Sequence, residues 1–197
     1  LFCQDIKRPP IHSLFLPTLT QGSEKAGVIS TDFGSSGRFS VVSPDTLTSS
    51  QGLSNIHSDA IAKFIDGKVY IINRLNRDNI QILNPNFGFL TEVEFSTESG
   101  SNPQDIVKLN SDKTYISRYN RKSILVVNPT TGGLISQIDL SAYSESSSNG
   151  SSIDNLPEMN QMYLDDGRLY VQIQRLDRND PSGYFAPNAQ SILLEID

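Results

Sequence analysis

Three short motifs set the charged side chains of this chain into a regular pattern. Each joins two arginines across two residues: Arg74-Leu75-Asn76-Arg77, Arg118-Tyr119-Asn120-Arg121 and Arg175-Leu176-Asp177-Arg178. A carboxylate precedes each one, at Asp59, Asp105 and Glu158. The planar guanidinium fork suits either a carboxylate or exposed carbonyls in a bidentate manner. The pattern can therefore clamp neighbouring repeats together or ring the mouth of a ligand site. Repetition favours clamps, because a catalytic site does not need one copy per repeat. One copy is irregular: Asp154-Asn155-Leu156-Pro157-Glu158 adds oxygen ligands that the others lack. A hard cation such as calcium accepts such groups, which makes Asp154 and Glu158 the metal-ligand candidates. Residues for other catalysis are scarce. Histidine occurs only at His12 and His57, there is one cysteine, and no Gly-x-Ser-x-Gly elbow, His-Glu-x-x-His helix or P-loop is present. His57 lies near Asp59 and reads as a turn residue rather than a general base.

The segments around these motifs repeat. Ala60–Ile65, Lys68–Ile71 and Ile80–Asn84 have counterparts in Ile106–Leu109, Lys113–Ile116 and Ile124–Asn128. A third copy runs through Met159, Arg168–Val171 and Ile192–Ile196. Tyr70, Tyr115 and Tyr170 mark the period, 45 and then 55 residues, and read as packing within strands. A weaker copy precedes them at Gly27–Asp32 and Gly37–Pro44. Asp66-Gly67 and Asp166-Gly167 sit between apolar runs, the strongest short-range signal for a tight hairpin. Asn-Pro after the third run ends that strand, because proline cannot donate to a ladder. Leu134–Leu140 supplies an outer strand, and no segment keeps a 3.6-residue period. Short antiparallel strands in fours at this spacing predict an all-β chain, a β-propeller with about four blades present.

A blade cannot bury both faces alone, so the copies stack around an axis. Residues 26–197 are expected to form the blades and residues 1–25 a tail or tether. The last copy stops after its third strand, so the chain reads as the first part of a longer propeller. A closed four-bladed ring, with residues 11–16 supplying the missing strand, is the alternative. In either arrangement the residues just before the innermost strands and the turns between second and third strands share one rim. This predicts three pairs there: Asp59 with Arg74, Asp105 with Arg118 and Glu158 with Arg175. Arg77, Arg121 and Arg178 belong to the same rim.

The chain has 197 residues, 37% hydrophobic and 19% charged, with a net charge of −6. This acidity argues against nucleic acid as partner, since affinity for phosphates comes from concentrated Lys and Arg. No apolar run approaches a membrane span; Ile124-Leu125-Val126-Val127 is strand-sized. Cys3, in Leu1-Phe2-Cys3-Gln4, looks like the remnant of a bacterial lipobox and is a candidate for lipidation. The serine-rich stretch Ser144–Ser152 reads as an inter-blade loop, and Asn149-Gly150-Ser151 as a turn that also matches a glycosylation sequon.

Several segments together resemble the bacterial envelope lipoproteins with YVTN/YncE-like β-propellers. They are Asn102-Pro103-Gln104-Asp105-Ile106, Tyr115-Ile116-Ser117-Arg118-Tyr119, Ile138-Asp139-Leu140-Ser141, Leu156-Pro157-Glu158-Met159 and Gln174-Arg175-Leu176-Asp177-Arg178. The resemblance covers roughly residues 26–197. It implies a seven-bladed extracytoplasmic propeller, of which this chain is the first half. The expected role is a non-enzymatic binding or scaffold module for a protein, glycan or small ligand. It would have no required cofactor and would reach a membrane only through a lipid anchor. A dimer would cover the open ends of a fragment. The alternative is a propeller hydrolase or lactonase with a divalent cation at the channel mouth. A quinoprotein-type propeller is disfavoured by the absence of tryptophan and of cysteine pairs.

Overall fold

The computed structural model describes residues 24–144, 154–176, 178 and 190–197. They form four antiparallel sheets in chain order. The first contains β1 (Ala26–Thr31), β2 (Gly37–Ser43) and β3 (Thr48–Ile56). The second contains β4 (Ala60–Ile65), β5 (Lys68–Asn73), β6 (Asn79–Asn84) and β7 (Leu90–Ser96). The third contains β8 (Pro103–Asn110), β9 (Lys113–Arg118), β10 (Ser123–Val127) and β11 (Leu134–Asp139). The fourth contains β12 (Met159–Asp165), β13 (Arg168–Ile173) and β14 (Ile192–Ile196). Each sheet is a meander, and the chain is a β-propeller of successive blades.

Local sequence accounts for the turns. Asp66 and Gly67 take φ of 48° and 77°, and Asp166 and Gly167 take 45° and 80°. Positive φ at both central residues is the two-residue turn whose twist matches the flanking strands. It sets the registers Ile65 to Lys68 and Asp165 to Arg168. At the end of β6, Pro85 stops the ladder and the Asn84 side chain accepts from the Asn86 N–H.

The sheets pack face to face in sequence. Phe39, Val41 and Ile56 of the first meet Val69, Ile71 and Leu83 of the second. Tyr70, Ile72, Ile80 and Ile82 then meet Ile106, Ile116, Leu125 and Val127 of the third. Ile124 and Leu140 meet Met159, Met162, Leu169, Val171 and Ile173 of the fourth. Four sheets thus share three cores among the described residues. β5 and β6 are consequently covered on both faces and read as continuous apolar runs rather than alternating ones. Tyr70 is 3% exposed, and burial pushes its phenol pKa upward, as expected for a packing residue.

Candidate binding rim

The connections between blades and the turns between second and third strands lie at one end of the sheets, and they touch from blade to blade. Leu75 N–H approaches Asn102 Oδ1 at 3.4 Å, Asn120 donates to the Gly100 carbonyl at 3.0 Å, and Arg178 donates to Asn120 Oδ1 at 2.6 Å. Of the three predicted carboxylate–arginine pairs, one forms. Arg74 donates to Asp59 Oδ1 through Nε at 3.1 Å and through a terminal nitrogen at 2.5 Å. It also reaches Gln104 of the next blade at 3.1 Å. This is a clamp within and between blades.

Asp105 and Arg118 do not meet. β8 begins at Pro103, and a bulge at its start leaves Asp105 opposite Ser117, inside the strand. The Asp105 carboxylate is fully buried. It pairs with Lys63 of β4 and accepts the Ile106 N–H at 2.8 Å and the Met162 N–H at 2.7 Å. One carboxylate therefore joins the innermost strands of three consecutive sheets. Arg118 is displaced for a different reason. It lies three residues after Tyr115, whereas Arg74 lies four after Tyr70. In a strand, one residue reverses the face. Arg118 takes the place held in the second sheet by the buried Asn73, and it is itself fully buried. It donates to the Ser123 carbonyl and hydroxyl, to the Thr97 carbonyl and to Gln137, and pairs with Glu98 at 2.7 Å. Burial pushes the guanidinium pKa down, and Glu98 acts in the opposite direction.

The third pair is also replaced. Arg175 lies beyond the end of β13 with φ of 57°, and its Nε is buried without a hydrogen-bond partner. Glu158 instead accepts the Leu176 N–H at 2.9 Å through Oε2. Arg178 Nε lies 2.7 Å from Asp154 Oδ2 and 3.4 Å from Glu158 Oε1. Its guanidinium stands 5.0 Å from the centroid of the Tyr119 ring. The two proposed metal ligands are thus adjacent, with an arginine cation at their oxygens. Among the described residues no group of three or more His, Cys, Asp and Glu is placed to hold a metal.

Glu158 is fully buried, and its carboxyl pKa is pushed up to about 9, chiefly by burial and then by the Asp154 charge. The folded state therefore retains a proton that the unfolded chain releases near the ordinary value of 4.5. This proton contributes stability fully below pH 4.5, and the contribution is lost as pH rises toward 9. Glu158→Gln keeps the shape and the donor toward Asp154. Its melting temperature should vary less than that of the parent between pH 5 and 9, with its relative advantage growing at the alkaline end. Parallel slopes for the two proteins in thermal denaturation would contradict this.

Arg77 reaches Glu94 of its own sheet at 3.1 Å and is largely exposed. Arg121 holds the 98–100 connection through Glu98 and the Ser99 and Gly100 carbonyls. Several anchors escape the repeat pattern. Asp78 is buried and accepts the Gly100 and Asn102 N–H groups at 2.7 and 2.8 Å. Glu98 receives both Arg118 and Arg121. Neither recurs in the other copies, so only pairing in space identifies them. His57 Nδ1 accepts the Asp59 N–H at 3.2 Å, in keeping with a turn role. Cys3, residues 11–16, Asn149 and most of the serine-rich stretch lie outside the described residues.

No protein-family model matches the chain, and none of the curated proteins is similar to it. Among solved structures, a glutaminyl cyclase from Myxococcus xanthus is similar at 14% identity and a TM-score of 0.41. That match covers 75% of this chain and 66% of the other. The WD40 domain of SCAP from fission yeast is similar at 7% identity and a TM-score of 0.45, over 88% of this chain and 49% of the other. The chain thus spans just under two thirds of the first and about half of the second.

Proposed function

We propose that this chain belongs to a non-enzymatic, extracytoplasmic propeller of a bacterial envelope, held by lipid on Cys3, whose rim binds a protein, glycan or small ligand. One observation carries the reading. Most charged groups of the rim are engaged by the chain's own partners, as Arg74 is by Asp59, Arg121 by Glu98 and Arg178 by Asp154. The loop tips are left as the free contact surface. Phe33, in the turn between β1 and β2, is 95% exposed, and Leu75, in the corresponding turn of the next blade, is 50% exposed. Apolar tips on a framework of satisfied charges suit recognition rather than bond chemistry.

Site-specific photo-crosslinking in envelope preparations tests this. A photoreactive residue at Phe33 or Leu75 should give discrete adducts. One at Phe87, exposed in the turn between β6 and β7 at the opposite end, should not. Equal labelling from both ends, or none from the rim, would remove the rim as the binding face. The hydrolase reading with a divalent cation is favoured by one feature, the adjacency of the Asp154 and Glu158 carboxyls, both in contact with Arg178. Elemental analysis of the purified protein and of Glu158→Ala separates the two. The binding reading expects no stoichiometric metal in either, whereas one equivalent present in the parent and lost in the variant supports the hydrolase.

A further inference from the structure

Among the described residues a pocket of about 310 Å³ lies at the rim, where the first two sheets meet. Arg38, Asn55, His57, Arg77 and Gln81 are in its walls. It arises from a short connection. Residues 57–59 join the first sheet to the second, whereas residues 97–102 join the second to the third. The longer connection covers Arg121, which it meets through Glu98 and the Ser99 and Gly100 carbonyls. The shorter one spends its carboxylate, Asp59, on Arg74, and Arg77 turns instead to Glu94 of its own sheet. The floor differs as well. Gln81 lies opposite Ile71 in the second sheet, as Leu125 lies opposite Ile116 in the third. Leu125 belongs to the apolar core between the second and third sheets. Gln81 puts an amide at the equivalent place between the first and second. It is 7% exposed, and its amide is held: Oε1 accepts from Asn73 at 2.7 Å and Nε2 donates to the Asn55 carbonyl at 3.3 Å. These bonds use one N–H and one lone pair of an amide that has two of each.

The walls carry positive charge. Arg38 donates to the Gly37 carbonyl at 3.1 Å and pairs with no carboxylate among the described residues. Arg77 gives one terminal nitrogen to Glu94 at 3.1 Å. His57 accepts the Asp59 N–H on Nδ1, so Nε2 is the donor of the neutral ring. The acids beside these walls are occupied. Asp32 accepts the N–H groups of Gly34, Ser35 and Ser36, and Glu94 accepts from Arg77 and Asn79. We propose that this pocket binds an acidic sugar, with its carboxylate on Arg38 and Arg77 and its hydroxyls on the Gln81 amide. The assignment rests on the reading of the rim as a binding face and narrows its ligand. Guanidinium forks suit a carboxylate. Sugar hydroxyls both donate and accept, which matches the unspent N–H and lone pair of Gln81. The volume is at the small end of ligand pockets and suits one monosaccharide unit.

Titration calorimetry of the full chain tests this, with sodium glucuronate, glucose and inorganic phosphate as separate probes. Glucuronate should bind at one site per chain, and more weakly as salt is raised. Glucose and phosphate should bind at least about tenfold more weakly, since one lacks the charge and the other the hydroxyls. Arg38→Gln should lower glucuronate affinity by about tenfold or more and leave the melting temperature unchanged, because the side chain is exposed. Gln81→Leu, which copies Leu125, should abolish binding; Arg38→Gln decides alone if that variant does not fold. Absence of glucuronate binding, equal binding of glucose or of phosphate, or an Arg38→Gln variant that binds as the parent does would each overturn the proposal. Crosslinking from Phe33 separates its failure from that of the rim. Adducts without any glucuronate binding strike the acidic sugar and keep the rim, whereas absence of both strikes both.

Discussion

Arg118→Ala is expected to lower stability by about 3–5 kcal/mol, a fall of roughly 10 °C in melting temperature for a chain of this size. The side chain is fully buried, so its loss cannot be repaired by water from outside. It removes the donors to the Ser123 and Thr97 carbonyls and to Gln137, and it leaves Glu98 without its shortest cationic contact. Leaving such groups unpaired costs more than the bonds themselves contribute. Glu98 belongs to the connection between the second and third sheets, so the damage should appear as loosening between blades. Amide exchange over residues 97–102 should accelerate along with the fall in melting temperature. Arg118→Lys should recover only part of the loss, because an ammonium cannot reach the same spread of acceptors as a fork. A melting temperature within about 2 °C of the parent for Arg118→Ala would show that the buried network does not hold the blades together.

Asp105→Ala is expected to be comparably severe, at about 3–5 kcal/mol. Asp105 contacts the innermost strands on both sides of its own. It pairs with Lys63 and accepts the Met162 N–H at 2.7 Å. Its removal takes from Lys63 its anionic partner, leaving the ammonium the Ile106 carbonyl, and leaves a buried backbone donor in β12 unpaired. Asp105→Asn keeps the shape and one acceptor oxygen but gives up the charge toward Lys63. It should cost less, about 1–3 kcal/mol. The two variants therefore separate charge from hydrogen bonding. Urea denaturation would give the magnitudes, and exchange at Met162 would locate the effect. The fourth sheet should lose protection before the second does, because among the described residues it packs on the third sheet alone, whereas the second packs on the first as well. An Ala variant as stable as the parent would reduce Asp105 to a replaceable core residue.

These effects give the repeated charges a common meaning. Arg74 bridges its own blade to Gln104 of the next, Asp105 bridges three strands, and Arg178 reaches from the fourth blade to Asn120 of the third. Each spans a seam between sheets whose apolar cores are separate. Polar clamps at the seams fix how one blade rotates on the next, which the non-directional packing of Ile and Val does not do. The rim above is thereby held as a rigid platform for its exposed loop tips.

The sequence by itself determined most of the strands, their order and their two-residue turns, though not β3 or β7. Asp66-Gly67 and Asp166-Gly167 demand the two-residue turns, Pro85 ends β6, and the recurrence of Tyr70, Tyr115 and Tyr170 marks successive sheets. All of these are local preferences of a few residues, readable without knowing what packs against them. Part of the register was legible as well. The arginines fall four, three and five residues after their tyrosines, a mismatch that already separates Arg118 from the rim. Only the tertiary structure decided the partners. The bulge ahead of Asp105 carries that carboxylate into β8 and toward Lys63 and Met162, and a bulge leaves no fixed mark in the sequence. Asp78 and Glu98 became anchors because the 97–102 connection folds across them, and Arg178 met Asp154 and Glu158 because β13 ends two residues before Arg175. Strand identity is a short-range property, whereas which carboxylate meets which arginine depends on register, face and the approach of one sheet to the next.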